Sequence, residues 1–122
     1  MSNAETAVKE LDWYLRDHFF RQSAKGKNAF TRDSLPNEMV QSCHRYRGND
    51  PSQLSETMTP VIENMVSRKV VAQNGSELTL MGSLTRLQCS KCFYINYLVD
   101  EEPRECMKCR HLELNVFPKK KT

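Results

Sequence analysis

The chain has 122 residues, 39% of them hydrophobic and 27% charged, with five cysteines and a formal net charge of +3. That length holds one ordinary domain or two very small ones, and no apolar run approaches the roughly 20 residues a membrane helix needs, so no membrane partner is expected. Residues 1–84 carry ten Lys/Arg against ten Asp/Glu and residues 85–122 eight against five, a mild bias toward polyanions that leaves nucleic-acid and protein partners open and falls short of a strongly basic binder.

From Glu5 to about Ser23, Ala7, Val8, Leu11, Tyr14, Leu15, His18 and Phe19 recur at three- and four-residue steps, which places them on one stripe of a helix. Lys9, Asp12, Arg16 and Asp17 fall on the opposite, solvent side, and Gly26 is positioned as a C-terminal cap. After Ala29-Phe30-Thr31, a second helix is expected with Asp33 or Ser34 as cap, Pro36 in its first turn and Met39, Val40, Cys43 and Tyr46 or Arg47 facing inward. Asp50-Pro51 starts a third, with Leu54, Met58, Val61, Ile62, Met65 and Val66 on one face. Thr59-Pro60 inside it predicts a kink, or a short helix followed by a new one capped by Thr59.

The periodicity then switches. Lys69-Val70-Val71-Ala72-Gln73 and Ser76-Glu77-Leu78-Thr79-Leu80 flank Asn74-Gly75, and Asn-Gly between β-prone runs signals a hairpin with both residues at positive φ in a type I′ turn. Three helices followed by a hairpin resembles the winged-helix family. The fold class expected is therefore α+β. Residues 1–83 form a winged-helix-like domain with a β-hairpin wing, 84–118 a small β domain, and Lys119-Lys120-Lys121-Thr122 a basic disordered tail.

The last third contains Cys89-Ser90-Lys91-Cys92, thirteen residues, then Cys106-Met107-Lys108-Cys109. No leader pattern of charged, apolar and small residues opens the chain, so we expect an intracellular protein of cytoplasm or nucleus with reduced thiols, better suited to metal binding than to disulfides. Two Cys-x-x-Cys turns supply the four thiolates of structural Zn²⁺, with Cys89, Cys92, Cys106 and Cys109 as ligands. Iron takes the same four ligands, and the spacing does not separate the two metals. A redox pair would need a helix N-terminus in a βαβ setting, which is missing here, and four thiolates leave no open position for catalytic water. A domain of this size is of the kind that needs a metal staple, and removing the ion is expected to unfold it.

Phe93–Val99 is β-prone and Leu112–Phe117 alternates apolar with polar. Strands after both cysteine turns resemble the zinc ribbon family, although Phe93 and Arg110 stand where many ribbons have glycine. His111 is a neighbour rather than a ligand. Cys43 and His44, adjacent on the second helix, point about 100° apart; Cys43 reads as a buried thiol and no catalytic residue is expected.

A winged helix followed by a ribbon is similar in architecture to general transcription factor E. The resemblance implies a non-enzymatic module that binds nucleic acid or a protein of the transcription or replication machinery, with no small-molecule substrate. Lys69 at the wing and Lys91, Tyr94, Lys108 and Arg110 on or beside the cysteine turns are the candidate nucleic-acid contacts. The basic residues Arg16, Arg21, Lys25, Lys27, Arg32, Arg45 and Arg47 form a second, mixed-charge group. Tyr94 and Tyr97 stack on bases if exposed and form the ribbon's core if buried. The alternative is a protein adaptor docking through Trp13 and Phe20, unless those two pack on the ribbon.

Overall fold

A computed structural model describes residues 3–117; the expected basic tail lies outside them. Three helices and two small antiparallel sheets follow in the order α1 (Asn3–Ala24), β1 (Ala29–Thr31), α2 (Leu35–Ser42), α3 (Pro51–Ser67), β2 (Val71–Asn74), β3 (Glu77–Leu80), β4 (Thr85–Cys89), β5 (Ile95–Leu98) and β6 (Leu114–Val116). The first sheet has strand order β1-β3-β2 and the second β5-β4-β6.

The helix ends follow from local chemistry. Gly26, at φ +87°, closes α1 with Lys27 N–H donating to Gln22 O and Gly26 N–H to Ser23 O, each at 2.9 Å. Asp50 caps α3 by accepting from Ser52 N–H at 2.9 Å, with Pro51 in the first turn. At its other end Lys69 takes the left-handed cap at φ +63°, with Val70 N–H on Met65 O and Lys69 N–H on Val66 O. That is a glycine's geometry carried by a lysine.

Three expectations change. Of the two outcomes expected at Thr59-Pro60, the division does not occur: α3 is one helix, its exposed proline leaving Met58 and Val61 buried on the inner face. The second helix stops at Ser42; Cys43 is its half-buried C-cap, and His44–Tyr46 form a separate 3-10 turn. The hairpin turn also shifts by one residue, because Asn74 pairs with Glu77 and leaves Gly75-Ser76 as the two-residue loop. Only Gly75 has positive φ there, +62°, so the turn resembles type II′ rather than I′.

Leu11, Leu15 and Phe19 of α1 pack with Leu35 and Met39, with Leu54, Met58, Val61, Ile62 and Met65 of α3, and with Phe30, Val70, Val71 and Leu78. Tyr97 of β5 joins this same core, with Leu84 just before β4 and Val99 just after β5. A smaller cluster of Leu87, Cys89, Leu98, Cys106 and Leu114 lies on the cysteine side. The β5 segment is thus buried on both faces, which is why its sequence reads as an almost unbroken apolar run.

The outer edge of β5 is covered by α1. The Trp13 indole N–H donates to Ile95 O and Arg16 Nη1 donates to Tyr97 O, both at 2.6 Å. Phe20 packs against Tyr97 with ring centroids 5.2 Å apart, and the Tyr97 hydroxyl donates to Asp17. Trp13 and Phe20 are therefore half-buried against the second sheet.

Arg16 corrects the helical wheel. The helical periodicity puts Asp12 and Arg16 on the solvent side, yet Arg16 is 0% exposed and Asp12 7%. The Arg16 guanidinium bonds both oxygens of buried Glu102 at 2.6 and 2.8 Å and Asp12 Oδ2 at 3.0 Å. Glu102 also accepts from Val99 N–H at 3.1 Å and lies 2.7 Å from Arg68 Nε. Burial works against the Glu102 carboxylate, but Arg16, Val99 N–H and Arg68 outweigh it and hold the group below its ordinary range. Asp12 goes the other way: burial raises it despite Arg16, and its Oδ1 has no partner among the described residues. Buried charges persist only when paired in this way.

Candidate metal centre

The end of β4 delivers Cys89, and a turn returns the chain through Cys92 into β5; a second turn carries Cys106 and Cys109 toward β6. The two turns repeat the same hydrogen bonds. Cys89 N–H donates to Tyr94 O and Phe93 N–H to Cys89 O, each at 3.0 Å; Cys106 N–H donates to His111 O and Arg110 N–H to Cys106 O, each at 2.8 Å. Phe93 and Arg110 occupy equivalent places and both have φ +64°. The turn geometry survives without the glycines because the backbone bonds on both sides fix it.

The four sulfurs lie within 4.8 Å of one another. Cys89 Sγ and Cys109 Sγ are 3.5 Å apart, and Cys92 Sγ and Cys106 Sγ 3.6 Å. Four sulfurs placed tetrahedrally at about 2.3 Å from zinc stand about 3.8 Å apart. The donor set therefore fits a tetrahedral thiophilic ion.

Backbone amides point at the sulfurs, with Lys91 N–H and Cys92 N–H at 3.4 and 3.5 Å from Cys89 Sγ. Desolvation opposes the Cys89 thiolate, but these amides and the neighbouring sulfurs outweigh it and leave the thiol below its ordinary value. Cys106 shows the same balance, with the amides of Cys109 and Lys108 and the Asn96 side chain bringing it down to about 6. For Cys109 the His111 amide favours the thiolate, but desolvation and the three other sulfurs push it up to about 12. Four thiolates at this spacing repel one another, and a cation at their centre is what allows all four to ionise together.

Asn96, fully buried on β5, escaped the sequence reading. Its Oδ1 accepts from Met107 N–H at 2.9 Å, and its Nδ2 lies 3.3 Å from Tyr94 O and 3.7 Å from Cys106 Sγ. It ties the first turn to the second. A polar residue in the middle of the apolar run Phe93–Val99 was the available signal, since such a group is buried only when it has partners.

Of the candidate nucleic-acid contacts, Lys91, Lys108 and Arg110 are exposed on the cysteine turns. Lys108 Nζ lies 5.7 Å from the ring centroid of half-buried Tyr94. Lys69 is exposed elsewhere, at the end of α3. Tyr97 is 3% exposed and is core, not a stacking surface. Arg16 leaves the basic group because it is buried, and Arg32 is tied to Ser55 O at 2.8 Å and Thr59 Oγ1 at 3.0 Å. The outward residues of α3 include Glu56, Glu63 and Asn64. Phe93 is 68% exposed and Leu112 73%, two large apolar side chains beside the cysteine turns.

No helix among the described residues is long and apolar enough to cross a membrane. Compared with protein-family models, with curated proteins and with solved structures, the chain matches none.

Proposed function

We propose that this chain is a non-enzymatic Zn²⁺-binding module, a winged-helix-like unit joined to a zinc ribbon, that binds nucleic acid through the ribbon's cysteine turns as an accessory factor of transcription or replication. The single observation that carries the binding reading is the grouping of Lys91, Lys108 and Arg110, all exposed, on two turns held together by one four-sulfur site. Cations on a rigid scaffold attract phosphates without requiring a catalytic group. The winged-helix part of the reading rests on the element order α1-β1-α2-α3-β2-β3 and the sheet order β1-β3-β2. The acidic outer face of α3 disfavours insertion of that helix into a major groove, so the contact is assigned to the ribbon.

Zinc in this reading is scaffold. Cys89, Cys92, Cys106 and Cys109 hold it, with no position left for a reacting water. The test has two arms. Metal analysis of the purified chain is expected to give one zinc per chain, lost when Cys106 is changed to Ser. Fluorescence anisotropy with labelled DNA and RNA at low salt is expected to show binding that weakens steeply with salt and is lost in the double variant Lys91→Glu, Lys108→Glu. No affinity of the metal-loaded chain for either nucleic acid at low salt sinks the proposal. The adaptor reading then takes its place, supported by the apolar exposure of Leu112, Val116 and Phe117.

A further inference from the structure

Both cysteine turns place a large side chain where the backbone suits glycine. Phe93 and Arg110, each directly after the second cysteine of its pair, have φ +64°. An L side chain in that region costs stability, and such residues gather where function retains them. Neither side chain offsets the cost by packing. Phe93 is 68% exposed and belongs to neither buried cluster; Arg110 is exposed and makes no ion pair among the described residues.

The two positions directly follow Cys92 and Cys109, whose sulfurs lie within 4.8 Å of one another. An open phenyl ring thus belongs to the same pair of turns as exposed Lys91, Lys108 and Arg110. We propose that the cysteine turns bind single-stranded nucleic acid, one base stacking on Phe93 and the flanking phosphates lying against Lys91, Lys108 and Arg110. The inference rests on the nucleic-acid reading above and adds the strand state and the stacking residue. A duplex shows its phosphates and groove edges but keeps its base faces stacked, so an exposed ring gains little from it. Only an unstacked base presents a π-face to Phe93.

The experiment uses the full zinc-loaded chain and fluorescein-labelled oligothymidylate DNA and oligouridylate RNA of about 12 nucleotides, within the usual site sizes, beside a duplex of equal length. The single strands are expected to bind more tightly than the duplex. Phe93→Ala is expected to weaken single-strand binding about tenfold to hundredfold with the salt slope unchanged. Phe93→Tyr keeps the affinity. Phe93→Gly raises the unfolding midpoint while losing binding, which separates the ring's role from folding. Arg110→Gly is expected to flatten the slope of log K against log salt by about 0.7, and Arg110→Lys to restore it. Equal affinity for duplex and single strand, or full affinity in Phe93→Ala, overturns the inference. If Phe93→Ala binds normally while Lys91→Glu, Lys108→Glu does not, stacking fails and the nucleic-acid reading stands. If the wild type binds neither strand, that underlying reading fails as well.

Discussion

Replacing Arg16 with alanine removes the centre of the buried network that joins α1 to the second sheet. Two carboxylates, Asp12 and Glu102, are 7% and 6% exposed and face this guanidinium. Glu102 loses bonds of 2.6 and 2.8 Å, Asp12 one of 3.0 Å, and Tyr97 O one of 2.6 Å. Removing one partner of a buried ion pair costs about 3–5 kcal/mol, because the other charge remains in a poor solvent. Arg68, 2.7 Å from Glu102, remains and keeps the loss from growing further. Set against a net stability of about 5–15 kcal/mol for a domain, the change consumes much of the margin. Urea unfolding of the metal-loaded chain measures it, with far-ultraviolet circular dichroism and the fluorescence of Trp13 as two probes; Trp13 sits on the α1–β5 contact and reports its opening. The double variant Arg16→Met, Glu102→Leu is expected to lose less than the single Arg16→Ala, since apolar side chains refill the buried volume and the Glu102 carboxylate is gone, leaving Asp12 and the partly exposed Arg68. A loss below about 1 kcal/mol for Arg16→Ala would place the cost in the range of an exposed pair and refute the argument.

Lys69→Gly is expected to raise stability by about 0.5–1 kcal/mol, the relief of left-handed strain less the extra freedom of glycine in the unfolded chain. At this chain length that is a few degrees in Tm by differential scanning calorimetry, and a lower Tm would show that the lysine makes a compensating contact. Asn96→Ala is expected to weaken metal affinity about 10- to 100-fold in a chelator competition, because the residue holds the second turn in place; unchanged affinity would mean the sulfurs need no such support. His18 is buried, which lowers its pKa below the ordinary 6.5 despite the nearby carboxylates of Glu38 and Asp17, while Lys27 adds to the lowering. The unfolded state therefore takes up the proton first, and the contribution of His18 is present above about pH 6.5 and lost as pH falls toward the folded value. The wild type is thus expected to lose stability more than His18→Gln between neutral and mildly acid pH in paired urea titrations, and parallel curves would reject this assignment.

Much of this molecule is written locally. The apolar stripe of α1, the Asp50-Pro51 start of α3, the glycine cap at Gly26 and the two strands around Gly75 all depend on neighbours three or four residues away, and the sequence carries those neighbours. The clustering of Cys89, Cys92, Cys106 and Cys109 at metal-binding distance is legible for the same reason: two thiols in one tight turn are a local arrangement.

The turn register at Gly75 and the end of α2 at Ser42 were settled by local backbone bonds, whereas the burial of Arg16, Trp13, Phe20 and Asn96 depends on partners outside their own element. The helical wheel puts Arg16 in solvent because it contains only the helix; its acceptors, Tyr97 and Glu102, lie 81 and 86 residues away. Trp13 and Phe20 read either as docking residues or as packing on the last third of the chain, and their contacts with Ile95 and Tyr97, remote in sequence, decide how they are placed. Asn96 belongs to no motif, since its value lies in bridging two cysteine turns that only the fold brings together. The sequence by itself determined the elements and the four-sulfur site, because short-range sterics and ligand chemistry are set by adjacent residues. Tertiary structure alone decided which charges are buried and which aromatic rings remain open, because burial depends on the long-range packing of α1 against the second sheet.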